Sequence, residues 1–324
     1  MIFSKIIYNN TVYYDLYAEQ CLNNMNEDRV VYALSVNKTS LDEICDDIQS
    51  EKRCNVFVLE CENVESFQLN TLEKRMGELF KDGKTIVFAN AKEGLLASMA
   101  ICSVFEAENS KYKHNGSYNW FVLKQGVDCN SLYSTAHTFL NLFTAKLKKY
   151  SSGLEEGNRE HTSSSVELTS YIDIKKLMIQ ERAFMLYAIY RLAMKVKAHW
   201  LKGEKKPFLV CQSLNGSYIA SVLSVLLDLD LYVLDQVGPI NKLYRSLGAK
   251  VKANEDYIVI SDMVCLGTEV KIVKNIIEYL GGNYVGNATI VRTKCVRIFD
   301  NTEEVFVIDE NNCQELNYKI ITAI

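Results

Sequence analysis

The pattern of apolar and polar positions predicts alternating strands and helices along the N-terminal half of the chain. Two short runs rich in β-branched and aromatic residues, 2–8 and 11–17, flank Asn9-Asn10 and predict a hairpin. Strands are then predicted at 30–36, 55–61, 84–90 and 118–123, and helices at 40–50, 70–80 and 93–105. This alternation is typical of an α/β domain in which helices cover a sheet.

The C-terminal half shows the same alternation after a helical pattern at 131–150 and a glycine- and serine-rich stretch at 151–165. A long helix is predicted at 173–202. Strands are predicted at 208–212, 229–234, 257–261, 284–292, 305–308 and 316–321, and helices at 218–227 and 270–280. We therefore expect two domains, 1–128 and 171–324, joined by a helix and polar linker at 129–170. The second domain should have a mostly parallel sheet flanked by helices.

Composition and charge narrow the range of partners. The chain has 324 residues, of which 48% are apolar, and this is enough material for two cores. Its 36 basic and 40 acidic residues give a net charge of −4, so no general basic field favours a nucleic-acid partner. No uninterrupted apolar run reaches the roughly 18 residues that a membrane helix needs, and the first residues lack the layout of a signal peptide.

The cysteines and histidines predict neither disulfides nor a protein-bound metal. None of the ten cysteines forms a C-x-x-C pair, and most lie inside apolar segments, as is typical of reduced core thiols in a cytosolic protein. The four histidines are scattered and none has ligand spacing to a cysteine or to another histidine. We therefore expect a cytoplasmic protein without a metal site built from its own side chains.

One stretch in the C-terminal half points to anion binding. The apolar run at 257–261 ends at Asp262, a short turn containing Gly267 follows, and a helical pattern then begins near Val270. A helix that starts in this way leaves several backbone N–H groups unpaired at its positive end. Such an end is suited to a phosphate or another anion.

The stretch 257–270 resembles the phosphoribosyl-diphosphate (PRPP) motif of type I phosphoribosyltransferases. In that family a buried strand ends in two acids and two apolar residues, and a small-residue phosphate loop then opens a helix. The resemblance implies that Asp262 binds ribose hydroxyls and is the catalytic residue, and that the 5′-phosphate lies in the loop. The implied phosphate and ribose site comprises Ser261, Asp262, Cys265, Leu266, Gly267 and Thr268.

Four residues depart from the motif and indicate that it is eroded. One of them, Thr268, takes a position usually given to a second glycine. Ser261 stands where the first acid would be, and Leu266 replaces a hydroxyl residue that would donate to phosphate. Glu269 adds a carboxylate that competes with a phosphate for the field of the helix.

The same resemblance assigns two further segments. Ser213, Leu214, Asn215 and Gly216 match the loop that holds pyrophosphate, and they follow the predicted strand 208–212. Both turns would lie at the carboxyl ends of parallel strands and face one crevice. Lys242 and Arg245 match the mobile hood that carries basic residues over the phosphates.

The segment 56–64, the helix after it and the segment 81–90 resemble a STAS domain, a small α/β module that binds partner proteins. The resemblance implies a protein partner at the N-terminal domain. The alternative is an α/β scaffold that serves the second domain.

Three functions are therefore compatible with the sequence. We favour a regulatory module that binds a nucleotide or a sugar phosphate, with the fold retained and the chemistry lost. The first alternative is an active transferase that moves phosphoribose from PRPP to a nitrogen base, with Mg²⁺ bound together with PRPP. The second is an interaction scaffold without a ligand. The sequence leaves open whether the protein is an enzyme, and it does not indicate an oligomeric state.

Overall fold

The computed structural model describes residues 3–16, 19–26, 29–105, 111–115, 118–122, 135–152, 159–160, 167–168, 171–203, 205–234, 251–293, 301–308, 313–316 and 319–322. The chain forms two compact units, Met1–Asn141 and Leu142–Ile324. The predicted domain limits at 128 and 170 stay a prediction.

The N-terminal unit is built on a six-stranded mixed sheet with strand order β1-β2-β5-β7-β9-β8. These strands are β1 (Phe3–Tyr8), β2 (Thr11–Leu16), β5 (Val56–Glu60), β7 (Thr85–Ala89), β8 (Lys111–Asn115) and β9 (Tyr118–Val122). Strand β5 pairs in parallel with β2 and with β7, and the outer pairs are antiparallel. A smaller sheet contains β3 (Glu19–Asn26), β4 (Arg29–Val36) and β6 (Ser66–Phe67).

Three α-helices connect these strands, namely α1 (Lys38–Ser50), α2 (Leu69–Lys81) and α3 (Glu93–Met99), and a short 3-10 helix covers Ser103–Phe105. The buried sides of α1 and α2 share one apolar core with β5 and β7, to which Ile44, Leu72, Phe57 and Phe88 belong. The predicted helices and main strands of this half are confirmed. The predicted helix at 93–105 is shorter than expected, because α3 ends at Met99.

The predicted N-terminal hairpin is confirmed. Strands β1 and β2 are antiparallel, and Tyr8 pairs with Thr11 across the turn. The two turn residues, Asn9 and Asn10, both have positive φ, at 46° and 62°. A two-residue turn with both φ values positive matches the right-handed twist of the strands, and asparagine tolerates this conformation better than most residues.

The C-terminal unit is built on a five-stranded, entirely parallel sheet with strand order β15-β14-β16-β17-β18. Its strands are β14 (Phe208–Cys211), β15 (Leu231–Val233), β16 (Asp256–Val264), β17 (Asn283–Thr293) and β18 (Thr302–Ile308). Its helices are α5 (Ile174–Gln180), α6 (Arg182–Trp200), α7 (Leu214–Leu227) and α8 (Thr268–Tyr279), and α4 (Thr135–Lys149) spans the limit between the two units. The predicted α/β class with a mostly parallel C-terminal sheet is confirmed.

Helices cover both faces of this sheet. Val270, Val273 and Ile277 of α8 form a core cluster with Tyr257 and Val259 of β16. Side chains alternate along a strand, so Ile258 and Ile260 point to the opposite face. Helix α7 contacts β14, β15 and β16 there, and α6 contacts β17 and β18.

The short strands of the C-terminal unit lie outside this sheet. They are β10 (Ser151–Ser152), β11 (Arg159–Glu160), β12 (Glu167–Leu168), β13 (Tyr171–Ile172), β19 (Cys313–Leu316) and β20 (Lys319–Thr322). Strand β20 pairs with β12 and β19. The expectation that 316–321 completes the parallel sheet is therefore wrong.

The prediction of a single long helix at 173–202 is also wrong. The helix is interrupted at Glu181, which separates α5 from α6. The Glu181 carboxylate accepts hydrogen bonds from Lys146 Nζ at 2.6 Å and from the Tyr150 hydroxyl at 3.1 Å. These contacts hold the break against α4, so tertiary contacts override the continuous helical periodicity.

None of the helices in the described ranges combines the length and the apolar character required to cross a membrane.

We predict that Glu181→Gln lowers the free energy of unfolding at pH 7 by about 2 kcal/mol, because the charged acceptor of several hydrogen bonds is lost. Burial raises the pKa of Glu181, but the hydrogen bonds and charge of Lys146 and its neighbours outweigh burial and hold the pKa below its usual value. A lowered pKa contributes stability that is present above the usual carboxyl range and is lost as the pH falls through it.

Urea unfolding at pH 7 and below about pH 4 would measure this difference, which should shrink at the lower pH. Asp230→Asn removes an exposed charge from the same unit and should have little effect at either pH. An equal loss of stability at both pH values would contradict the assignment to ionised Glu181.

Candidate functional site

The topology of the parallel sheet brings the two predicted turns together. Strand β14 leads through α7 to β15 on one side, whereas β16 leads through α8 to β17 on the other side. The direction of winding therefore reverses between the neighbouring strands β14 and β16. Open α/β sheets form their ligand crevice at such a reversal, outside the carboxyl ends of the strands.

The first turn is a helix N-terminus rather than the loop that the sequence predicts. Ser213 is the N-cap of α7, and its Oγ accepts a hydrogen bond from the Gly216 N–H at 3.1 Å. Leu214, Asn215 and Gly216 therefore lie in the first turn of the helix. A Cβ atom at position 216 would lie 2.9 Å from Ser213 Oγ and 3.0 Å from the Ile260 carbonyl oxygen. Glycine allows this turn to approach the backbone of β16 closely.

The second turn carries Gly267 in the left-handed conformation, with φ 68° and ψ 21°, at the N-cap of α8. A residue with a side chain would be strained there, so the requirement for glycine is conformational. Gly267 provides no side-chain oxygen for the first N–H groups of α8. Thr268 is the first residue of this helix. Thr293 Oγ1 of β17 donates to the Cys265 carbonyl oxygen at 3.3 Å, and this hydrogen bond stabilises the turn.

A direct hydrogen bond joins the first turn of α7 to the end of β16. Asn215 Nδ2 donates to Asp262 Oδ2 at 2.7 Å, across 47 positions of sequence. Asp262 is half-buried at the end of β16, so its carboxylate remains accessible from the crevice. The structure therefore brings together two residues that the sequence assigned to separate binding segments.

Glu269 points into the crevice and not away from it. Burial is the largest factor that raises the pKa of its carboxyl group, and the charge of Asp262 raises the pKa further. The hydroxyl and the backbone N–H of Ser213 donate toward the carboxylate and act in the opposite direction. Glu269 of α8 thus lies near the N-cap of α7. Its negative charge interacts there with the positive end of the helix dipole, as a bound anion would.

Two cysteines flank these acids as neutral thiols. Burial and then the charge of Glu269 raise the pKa of Cys211 to about 12. Burial and then the charge of Asp262 raise the pKa of Cys265 to about 12, against a hydrogen bond with Thr293. Because a thiolate is the reactive form, neither cysteine is placed to act as a nucleophile at neutral pH.

Ser261 is less available than Asp262. Its side chain is 1% exposed, and its Oγ has no hydrogen-bond partner within the described part of the chain. A ligand in the crevice could not reach this hydroxyl without a rearrangement of the strand. Leu266 is half-buried and has no polar side-chain atom to offer a phosphate.

The basic residues predicted for the hood, Lys242 and Arg245, lie outside the described residues. Arg292 forms an ion pair with Glu304 of β18, at 3.4 Å between Nη1 and Oε2, so its charge is paired within the sheet. Among the described residues at the two turns, the charged groups are Asp262 and Glu269, and both are negative.

Within the described ranges there is no group of three or more histidine, cysteine, aspartate or glutamate side chains that could hold a metal ion. Asp262 and Glu269 supply two carboxylates, which the oxygen atoms of a bound ligand could complete as a metal-binding set.

Sequence reasoning identified both turns but missed two contacts, namely the Asn215–Asp262 hydrogen bond and the approach of Glu269 to Ser213. The predicted parallel pairing of the two strands was the signal for them. It places both helix starts at one edge, where residues of the two first turns come within reach of each other.

Comparisons with known proteins give likenesses in structure only. No protein-family profile and no curated protein sequence matches the chain. Adenine phosphoribosyltransferase from Thermoanaerobacter pseudethanolicus is similar, with a TM-score of 0.37 and 11% identity over 51% of this chain and 99% of that protein. For orotate phosphoribosyltransferase from Aeropyrum pernix the TM-score is 0.37 and the identity 14%, over 51% and 92% of the two chains. For purine phosphoribosyltransferase from Pyrococcus horikoshii the TM-score is 0.29 and the identity 17%, over 37% of this chain and 80% of that protein.

These likenesses cover the C-terminal part of the chain. The identities are so low that the chemistry has to be argued from the residues of the crevice.

We predict that Gly216→Ala lowers the free energy of unfolding by about 1–3 kcal/mol, because the added methyl group meets Ser213 and the Ile260 carbonyl. Urea denaturation would measure the loss. Gly94→Ala is a matched control, since Gly94 also lies in a helix but has no atom within 4 Å of an added Cβ. A neutral Gly216→Ala variant would contradict the close approach of α7 to β16.

We also predict that Glu269→Gln raises the free energy of unfolding at pH 7. The pKa of Glu269 is raised in the folded protein, so its ionisation destabilises the fold as the pH rises through that pKa. Below the usual carboxyl pKa of about 4.3 both states bind the proton, and the gain should disappear. Urea titrations at pH 7 and pH 4 would test this. A gain that is the same at both pH values would show that the charge of Glu269 is not its source.

Proposed function

We propose that the C-terminal domain is a regulatory module that binds a phosphorylated small molecule, a nucleotide or a sugar phosphate, at the crevice between α7 and α8. The observation that carries the proposal is the Asn215–Asp262 hydrogen bond, because it joins the first turn of α7 to the end of β16, the strand that leads to the N-terminus of α8. Two such ends offer backbone N–H groups and positive field to one anion. Asp262 beside them can accept from ligand hydroxyl groups.

The charges of the crevice favour binding over catalysis. Transfer of phosphoribose requires that the departing pyrophosphate is stabilised by cations or by N–H groups. Beside its N–H groups the described crevice holds two carboxylates, Asp262 and Glu269, and Glu269 already interacts with the Ser213 N–H. An incoming phosphate has to displace this carboxylate or meet it in its protonated form. Such a site would bind a phosphate only moderately and would release it readily, which suits a sensor.

The first alternative is an active PRPP-dependent transferase, and the proximity of two carboxylates favours it. Mg²⁺ is commonly held by one or two carboxylates together with substrate phosphates, and Asp262 and Glu269 fit this pattern. When bound with PRPP, the ion would neutralise the pyrophosphate as it leaves. Asp262 would then orient the ribose, and the N–H groups at the start of α7 would bind the pyrophosphate.

The second alternative is an interaction scaffold. The interaction of Glu269 with the Ser213 N–H favours it. The protein's own carboxylate then accepts from the N-terminal end of α7 in place of a ligand. For the N-terminal domain, the resemblance to STAS modules supports a role in binding a protein partner.

Isothermal titration with PRPP, AMP and ribose 5-phosphate, each with and without Mg²⁺, tests these functions. We predict that Glu269→Gln binds the phosphates roughly tenfold more tightly than the wild type, because a nearby like charge is removed. Asp262→Ala should weaken ligands that carry ribose hydroxyls. Asp230→Asn, which removes an exposed charge away from the crevice, should bind as the wild type does.

The outcomes separate the three functions. Binding without release of pyrophosphate in the presence of nitrogen bases supports the sensor, and Mg²⁺-dependent release that Asp262→Ala abolishes supports the transferase. If neither the wild type nor Glu269→Gln binds any of the three phosphates, the ligand-binding proposal fails and the scaffold remains.

A further inference from the structure

A groove of about 610 Å³ lies on the C-terminal unit between α5, the start of α6 and the first turns of α7. Its walls include Lys175, Met178, Ile179, Arg182, Leu214 and Tyr218. The volume is within the range of about 300–1,000 Å³ that is usual for small-molecule sites. Asn215 also lines the groove, so the groove borders the crevice.

The walls of the groove expose large apolar side chains. Leu214 is 77% exposed, Ile179 56% and Tyr218 41%, although Met178 beneath them is buried. Leu214 and Tyr218 lie one turn apart on α7, and Ile179 faces them from α5. Apolar side chains that are exposed together in a concave surface mark a place where a ligand or partner can displace water.

The charged residues of the groove are both basic. Lys175 and Arg182 are exposed, and neither forms an ion pair with another described residue. Arg182 Nε donates to the Ile179 carbonyl oxygen at 3.3 Å, which holds the guanidinium group at the edge of the groove. No aspartate or glutamate is among the lining residues in the described ranges. The groove therefore combines an apolar wall with an uncompensated positive edge.

We propose that this groove binds an amphiphilic anion, a carboxylate, phosphate or sulfonate on a compact aromatic or aliphatic body. The anionic group lies against Lys175 and Arg182, and the apolar body packs on Leu214, Ile179 and Tyr218. Charge complementarity selects an anion, because the described residues that line the groove include two cations and no acid. The proposal does not depend on binding at the crevice.

The two sites share Asn215. Its side-chain amide donates to Asp262, while the residue itself forms part of the groove wall. A ligand that shifts Asn215 from the groove side changes the support of Asp262 in the crevice. Occupation of either site should then alter affinity at the other by the same factor.

Fluorescence titration with 8-anilinonaphthalene-1-sulfonate, an amphiphilic aromatic anion, tests the proposal on the full chain. We expect saturable binding that weakens about tenfold in the Lys175→Ala, Arg182→Ala double variant, since two charge contacts are lost. Lys176→Ala is the matched control, because Lys176 is exposed on the same helix but does not line the groove. Leu214→Ser should also weaken binding, and Val225→Ser, on an equally exposed position of α7, should not.

Displacement of the probe identifies the chemistry. Naphthyl phosphate and naphthoate should displace it, and whichever does so at lower concentration identifies the preferred anion, whereas neutral naphthalenemethanol should not displace it. Either unchanged affinity in the double variant or equal displacement by the neutral compound would overturn the proposal. The far-ultraviolet circular dichroism spectrum of every variant should match that of the wild type, since all the substituted groove residues are exposed.

Discussion

The parallel pairing of β14 with β16 is the constraint on which the C-terminal unit depends. Phe208, Leu209 and Val210 pair in register with Tyr257, Ile258 and Val259, and both strands are followed by a helix that begins at the same edge. The pairing requires α7 to approach the β16 backbone, which Gly216 allows. The same approach brings Asn215 within 2.7 Å of Asp262. Packing and the polar geometry of the crevice thus have a single origin.

The crevice holds polar groups that a purely structural core would avoid. Glu269 is half-buried near Asp262, and this partial burial and the charge of Asp262 raise the pKa of Glu269. Ser261 keeps a buried hydroxyl without a partner in the described part of the chain. Each of these features costs stability, and such costs concentrate at functional sites. The charge of Glu269 decides whether a bound phosphate or the protein's own carboxylate interacts with the N-terminus of α7.

The C-terminal unit offers two surfaces of opposite character side by side. The crevice presents carboxylates close to helix N-termini, whereas the groove presents cations close to exposed apolar side chains. Asn215 belongs to both, so a change at one surface has a direct physical route to the other. The N-terminal unit has its own core and a mixed sheet, and its role in partner binding rests on resemblance alone.

The sequence by itself determined the order of the main helices and strands, the N-terminal hairpin and the two glycine turns, because periodicity and turn chemistry are local properties. It could not determine the break at Glu181, since a partner on α4 overrides a continuous helical pattern there. It also could not show that Glu269 turns toward Ser213 or that Asn215 binds Asp262. Those contacts join residues far apart in the chain, and only the pairing of parallel strands brings them together. The groove was not predicted for the same reason, because its walls come from three helices whose packing no local pattern encodes.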